Sequence, residues 1–411
     1  MWKGSAIRGR GLVRLETEGK GRACDMISEP VERVAGEVPK AVERFCTISE
    51  AYAPDGKYEG LFVEAMREVT AWHMARSPWY RKFAELNGIA PERLRSMADV
   101  LALPPVHASF FKAHEVRSIT MDEVAVHLTS SGTTGQKSQM FFDAFTIGHA
   151  REMVDHAMRA RGVYGDAPAN YLVNAYEPYE GLKVGTSNTN QYLMSYAPVA
   201  DRFWTLRCVG EGRHEFDAFG AMERLAEWSE GDAPVRIIGF PAFLHFILER
   251  MRRRGRPDSR LPEGSWVIFG GGWKGHADRA IPKEDLYADI ERQLGIPSER
   301  IVETYGSVEH SVPYVDCRMH RLHQPTWSRM LVRDVRTLEP VPDGVPGFLS
   351  FVSPYITSVP AHSVVMGDLG VRRGADECVC GDHPTPWFEV LGRAGVSANK
   401  SCAAAAAELL K

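Results

Sequence analysis

The chain has 411 residues, 44% of them apolar, enough for one large core or two adjoining ones. With 49 basic against 53 acidic residues its formal charge is only -4, so nothing global favours nucleic acid or an anionic membrane as the main partner. No stretch reaches the roughly 20 apolar residues of a membrane helix, and the opening MWKGSAIRGRGLVRLETEGKG has no apolar signal-peptide core, which places the protein in the cytoplasm.

Residues 1–45 are rich in Gly, Arg, Glu and Lys without sustained periodicity, the mark of a poorly ordered N-terminal segment. At 58–88, YEGLFVEAMREVTAWHMARSPWYRKFAELNG repeats apolar residues every three or four positions, predicting one or two amphipathic helices broken at Ser77-Pro78. From residue 124 short apolar runs alternate with helical periods: VAVHLTSS, FTIGHAREMVDHAMRARG, YLVNAY, FDAFGAMERLAEWSEG, VRIIGF, PAFLHFILERMRRRG, SWVIFGGG, KEDLYADIERQLG and IVETYG. Strand followed by helix, several times over, predicts an α/β core at 46–312 with parallel strands and crossover helices. After Pro313 short strands separated by Pro-Gly turns, in MLVRDV, PDGVPGFLSFVSP and GDLGVRR, predict a smaller β-rich subdomain at 313–411.

Within this frame the run LTSSGTTGQKS at 128–138 draws attention. Gly132 and Gly135 permit positive φ and close backbone approach, Ser130, Ser131, Thr133 and Thr134 offer hydroxyl donors, and Lys137 adds charge. The run is either a phosphate loop or a flexible turn. It is not the Gly-x4-Gly-Lys-Ser/Thr loop of nucleoside triphosphatases, because its glycines are three apart.

The seven cysteines are thiols in a reducing cytosol. DCRMHRLHQP supplies Cys317, His320 and His323, and ECVCGDH supplies Cys378, Cys380 and His383. Four such groups suffice for a closed tetrahedral Zn²⁺ site; the other reading is six unrelated surface residues. Cys402 is either a thiol nucleophile near the C-terminus or an incidental one. Cys24, Cys46 and Cys208 have no such context, and His107 and His245 read as packed or surface histidines.

Taken in order, TSSGTTG, GGGWKG, ETYGSVEH, GDLG and LGR resemble the adenylate-forming enzymes, over roughly residues 50–402. The resemblance implies that Ser130, Ser131, Gly132, Thr133, Thr134 and Gly135 wrap the β/γ-phosphates of ATP and that Gly270, Gly271 and Gly272 line the adenine pocket. It also implies that Tyr305, followed by Gly306, stacks on the base, Glu309 holds Mg²⁺, Asp368 accepts from both ribose hydroxyls and Arg393 sits close by.

Cys317, Leu322-His323 and the run from Cys378 to Gly381 narrow the resemblance to phenylacetate-CoA ligases and the LuxE type of acyl-protein synthetase. That branch implies Cys317, His323, Cys378 and Cys380 as zinc ligands, with His320 and His383 in reserve. Asp382 stands where an Arg usually follows. The chain ends soon after LGRAGVSANKSC, so it is expected to lack the small mobile C-terminal domain of acyl-CoA ligases, and Cys402 lies where acyl-protein synthetases are acylated.

The expectation is therefore an ATP-dependent ligase with Cys402, Glu309 and Lys137 in catalysis, Mg²⁺ at the phosphates and a structural Zn²⁺. It would activate a carboxylic, by resemblance fatty, acid as acyl-AMP and pass the acyl group through Cys402 to a reductase or carrier protein. Two other readings stand beside it: transfer to CoA, a carrier protein or a small amine, and a zinc-stabilised interaction module without chemistry.

Overall fold

The computed structural model describes residues 27–28, 37–129, 138–179, 192–210, 213–255, 258–273 and 276–394. The 58–88 segment forms two helices, Glu59–Arg76 and Pro78–Leu86. They part where the periodicity breaks. Ser77 adopts an extended conformation and its side chain accepts from the Tyr80 amide, while Pro78 occupies the first helical position, where a missing N–H costs nothing. Phe62, Met66, Val69 and His73 form the buried stripe of the first helix. A shorter helix, Lys40–Cys46, lays Phe45 edge-on against Phe62. Ordered structure thus begins before residue 46, inside the segment expected to be poorly ordered.

Among the described residues, seven strands make the larger sheet. In spatial order they are Tyr314–Val315, Ile301–Tyr305, Trp266–Phe269, Val235–Gly239, Ala169–Tyr176, Val199–Cys208 and His214–Phe216. The five inner strands are parallel and the two edge strands antiparallel. Helices Ala218–Ser229, Pro241–Arg253 and Lys283–Leu294 cover one face, burying Leu225, Leu244, Leu248 and Ile290 against Leu172, Ile237 and Val267. This is the expected α/β arrangement.

One unit departs from it. Val126–Thr129 does not join the parallel sheet but pairs antiparallel with Gln139–Phe142, from Val126 opposite Phe142 to Thr129 opposite Gln139. Fewer than a dozen residues lie between the two strands, too few for a parallel crossover. Residues 130–137, which carry the Ser/Thr/Gly run and Lys137, lie outside the described residues.

The smaller sheet is antiparallel, in the order Leu322–His323, Trp387–Arg393, Ser363–Arg373, Gly347–Val352 and Arg329–Arg333. Val106–His107 adds to it in parallel. Strands cross the expected division at 312/313 both ways, since Tyr314–Val315 edges the larger sheet. The apolar core is continuous across it as well, running from Phe62 through Ile238 and Val302 to Phe351 and Val364. Among the described residues no helix is long and apolar enough to cross a membrane.

A buried polar network ties the helices at 59–86 to the smaller sheet. His73 and His362 stack at 5.0 Å; His73 bonds Ser118 Oγ through Nδ1 and the Ile356 carbonyl through Nε2, and Tyr80 meets His362 Nε2 at 2.8 Å. Burial pushes His362 down to about 3 and His73 well below its ordinary value near 6.5. Between those values the unfolded chain binds protons that the folded chain refuses, so stability falls as pH drops below about 6.5. Each such histidine removes up to about 1.4 kcal/mol per pH unit. His362→Gln should therefore flatten the decline of the urea midpoint between pH 7 and pH 5, and an unchanged slope would contradict the network's neutral state.

Candidate nucleotide cleft and metal centre

The carboxyl ends of the parallel strands point toward the smaller sheet, and there the nucleotide candidates meet. Gly270 follows the strand Trp266–Phe269; its amide donates to the Gly239 carbonyl at 3.1 Å, and a Cβ on it would stand 3.1 Å from Thr304 Oγ1. Gly271 and Gly272 have φ of 77° and 60°, the left-handed region that glycine adopts without strain. A flat, side-chain-free ledge results.

Tyr305 ends its strand half-buried, and its hydroxyl donates to Asp368 Oδ2 at 3.1 Å. Burial, reinforced by the Asp368 carboxylate, pushes the phenol well above its ordinary range, so it stays protonated and remains a donor. Asp368 and Arg393 are register partners in the smaller sheet, with Arg393 Nε 3.8 Å from Asp368 Oδ1. Two residues, Tyr305 from the larger sheet and Arg393 from the smaller, thus converge on the Asp368 carboxylate. Gly367 beside it has open space where a Cβ would be.

Gly306 opens the turn after Tyr305, which carries Glu309 into a buried position. Its Oε1 accepts from Ser138 Oγ at 2.5 Å. Ser138 is the first described residue after 130–137, so Glu309 lies at the root of that run. The Ser138 contact was not foreseen; a serine at the end of a Ser/Thr/Gly run reads as one more loop residue. A hard carboxylate at this place suits Mg²⁺ bound to ATP phosphates. Lys137, Ser130, Ser131, Gly132, Thr133, Thr134, Gly135 and Cys402 all fall outside the described residues.

At the far end of the smaller sheet the structure brings together Cys317, His323, Cys378 and Cys380, whose ligand atoms all lie within 4.8 Å of one another. Cys317 Sγ is 3.8 Å from Cys378 Sγ, and Cys380 Sγ is 3.7 Å from His323 Nε2. A tetrahedral Zn²⁺ with Zn–S near 2.3 Å spaces its sulfurs by about 3.8 Å, so the donor set fits that ion. The second layer fits too. The Thr385 carbonyl at 2.8 Å accepts from His323 Nδ1–H, which leaves the Nε2 lone pair facing the sulfurs, and the Met319 amide donates to Cys317 Sγ at 3.4 Å.

Burial pushes the Cys317 thiol up to about 12, with Cys378 and Cys380 adding to it, and drives His323 down to about 4. Without a cation Cys317 keeps its thiol proton and His323 stays neutral, so a metal bound there would displace the Cys317 proton. His320 is not in the cluster, because Asp316 Oδ2 and Ser298 Oγ hold its two ring nitrogens. His383 stacks on Tyr52 at 3.8 Å and meets the His323 ring edge-on. Asp382 pairs with Arg318, whose guanidinium also donates to the Cys380 carbonyl; that ties the two ligand loops together.

A sequence model of the acyl-protein synthetase (LuxE) family matches residues 55–411. The chain is 26% identical over 337 residues to a long-chain-fatty-acid–luciferin-component ligase of Vibrio harveyi, covering 81% of this chain and 83% of that one. It is 24% identical to the protein of the same name from Aliivibrio fischeri, over 84% and 88% of the two chains. A phenylacetate-coenzyme A ligase of Thermus thermophilus is also 24% identical, over 83% and 71%. In fold the chain is similar to a 2-hydroxyisobutyryl-CoA ligase crystallised with 2-HIB-AMP and CoA, with a TM-score of 0.60, 16% identity and coverage of 85% and 74%. With the family matched over most of its length and the adenylate-forming fold in place, the chain belongs to the LuxE family of acyl-protein synthetases and is a ligase.

Proposed function

We propose that the protein activates a fatty acid with ATP and holds the acyl group on Cys402 as a thioester for delivery to a partner, a reductase or carrier protein. The convergence of Tyr305 and Arg393 on Asp368, beside the glycine ledge, carries this reading. A carboxylate fixed by a phenol and a guanidinium is preorganised to accept the two ribose hydroxyls of ATP, and adenine then lies between the ledge and the Tyr305 ring. The 130–135 run and Lys137, outside the described residues, are assigned to the terminal phosphates on the family resemblance. Glu309 holds Mg²⁺, which when bound offsets phosphate charge.

The first step is in-line displacement. A substrate carboxylate oxygen attacks the α-phosphorus, the bond to pyrophosphate breaks, and acyl-AMP remains. The protein contributes position and charge cancellation rather than covalent chemistry. In the second step the Cys402 thiolate attacks the acyl carbonyl, the bond to AMP breaks, and AMP leaves. Cys317, His323, Cys378 and Cys380 would hold Zn²⁺ in a structural role, since four protein ligands would leave no open position for chemistry. Transfer to CoA is the second reading, favoured by the likeness to phenylacetate-coenzyme A ligase.

The two half-reactions separate in one variant. Cys402→Ser should keep acid-dependent exchange of pyrophosphate into ATP within a few-fold of native. It should lose the hydroxylamine-sensitive label that radiolabelled acid and ATP leave on the native chain, because a serine hydroxyl is a far weaker nucleophile at neutral pH. Strong exchange in a native protein that never becomes labelled would hand the second step to CoA or another acceptor.

A further inference from the structure

Asn174 lies fully buried in the strand Ala169–Tyr176, and among the described residues neither its Oδ1 nor its Nδ2 has a hydrogen-bond partner. Buried side-chain amides in native proteins are paired almost without exception, so this one asks for a cause. Its setting supplies one. Tyr171 and Val173 belong to the core shared with the smaller sheet, whereas Leu172 joins Leu244 and Leu248 beneath the helix Pro241–Arg253. Strand alternation puts Asn174 on the face of Leu172, under that helix and nearer the carboxyl ends of the strands.

Its register partner is Gly239, where any Cβ would run into the Asn174 carbonyl at 2.5 Å, and the Phe240 amide donates to the same carbonyl at 3.0 Å. The helix starts there and runs back over the sheet. Phe240 at its N-cap provides no side-chain cap, and Pro241 at its first position has no N–H. The helix N-terminus thus begins at the level of the Asn174 backbone. That level adjoins the nucleotide side, since the Gly239 carbonyl accepts from Gly270. Open parallel sheets take their ligands here, beyond the carboxyl ends of the strands.

An unpaired amide presents an NH₂ donor group and a carbonyl acceptor side by side, so a group that engages both offers an acceptor and a donor at matching separation. A plain carboxylate supplies only acceptors. A carboxylate with a hydroxyl on the second or third carbon supplies both, and the positive end of the helix favours its charge. We propose that Asn174 is the subsite for the polar head of the acid, with Nδ2–H donating to one carboxylate oxygen and Oδ1 accepting from such a hydroxyl. The other carboxylate oxygen stays free to attack the α-phosphorus. The preferred substrates are then 2- or 3-hydroxy carboxylic acids, an assignment that rests on the adenylation reading.

The test is pyrophosphate exchange with matched acids of one chain length, unsubstituted, 2-hydroxy and 3-hydroxy, on native protein and on Asn174→Leu. Native protein should favour one hydroxy acid by more than about tenfold in kcat/KM, because a site built to bond a hydroxyl discriminates strongly against its absence. Asn174→Leu should erase that preference through the KM for the acid, with the KM for ATP unchanged. Leucine matches asparagine in shape and leaves no orphaned polar atom, so the variant should melt no lower than native. Equal use of all three acids by native protein, or a preference that survives in Asn174→Leu, would overturn the assignment. A lower melting temperature with selectivity intact would assign Asn174 a structural role instead. Absence of exchange with every acid, including chains of other lengths, would overturn the adenylation reading itself and this assignment with it.

Discussion

Asp368→Ala should lower acid-dependent pyrophosphate exchange by about a hundredfold or more, with the loss appearing in the KM for ATP as well as in kcat. The carboxylate is read as bonding two ribose hydroxyls, and hydrogen bonds to a charged group contribute about 1.5–3 kcal/mol each. Its loss also releases the Tyr305 hydroxyl and leaves Arg393 without its partner. Tyr305→Phe removes only the hydroxyl and keeps the ring, so it should cost no more than about tenfold, in line with a single hydrogen bond. Steady-state exchange on both variants gives the comparison. Equal losses would place the chemistry on the phenol, and no loss in Asp368→Ala would remove the nucleotide from this cleft.

The second large effect concerns the metal. Native protein purified without added metal should contain one Zn²⁺ per chain by elemental analysis, and Cys380→Ser should lose it. The cluster joins Cys317 and His323 to the loop before Trp387–Arg393 and so reinforces the pairing of these two adjacent strands. Breaking a buried ligand set removes several kcal/mol, and the melting temperature should fall by roughly 10 °C. A strong chelator should reproduce the fall in the native protein. His320→Ala should leave zinc content unchanged, because its ring is already held by Asp316 and Ser298. Zinc-free protein with native melting would refute the site.

Much of the fold is written in local pattern. The helix break at Ser77-Pro78 and the alternation of YLVNAY, VRIIGF and SWVIFGGG with helical periods follow from spacing and turn chemistry alone. What escaped depends on partners rather than on pattern. VAVHLTSS reads equally as a parallel or a hairpin strand, and only its pairing with Gln139–Phe142 decides. Val106–His107 has two residues and no period, yet it completes the smaller sheet.

The site divides in the same way. Motif order brings Tyr305, Asp368 and Arg393 to notice, but their meeting on one carboxylate comes from the pairing of Asp368 with Arg393 across two strands. Six cysteines and histidines in two loops leave the ligand choice open on spacing alone; the bonds that occupy His320 are tertiary facts. Asn174 had a signal that went unused, a lone amide in the otherwise apolar and aromatic run YLVNAY. A polar residue in a strand buried on both faces needs a partner, and Asn174 has none among the described residues.

Acyl-adenylate formation is the claim on which the rest stands, and isotope exchange measures it without assuming any acceptor. Native protein, Mg²⁺, ATP and labelled pyrophosphate should yield labelled ATP only when a carboxylic acid is present, with medium- and long-chain acids well represented among those that work. Glu309→Ala and Asp368→Ala should each abolish most of that signal in folded protein. Exchange that proceeds without acid, or that no acid across a broad panel can elicit, would contradict the account.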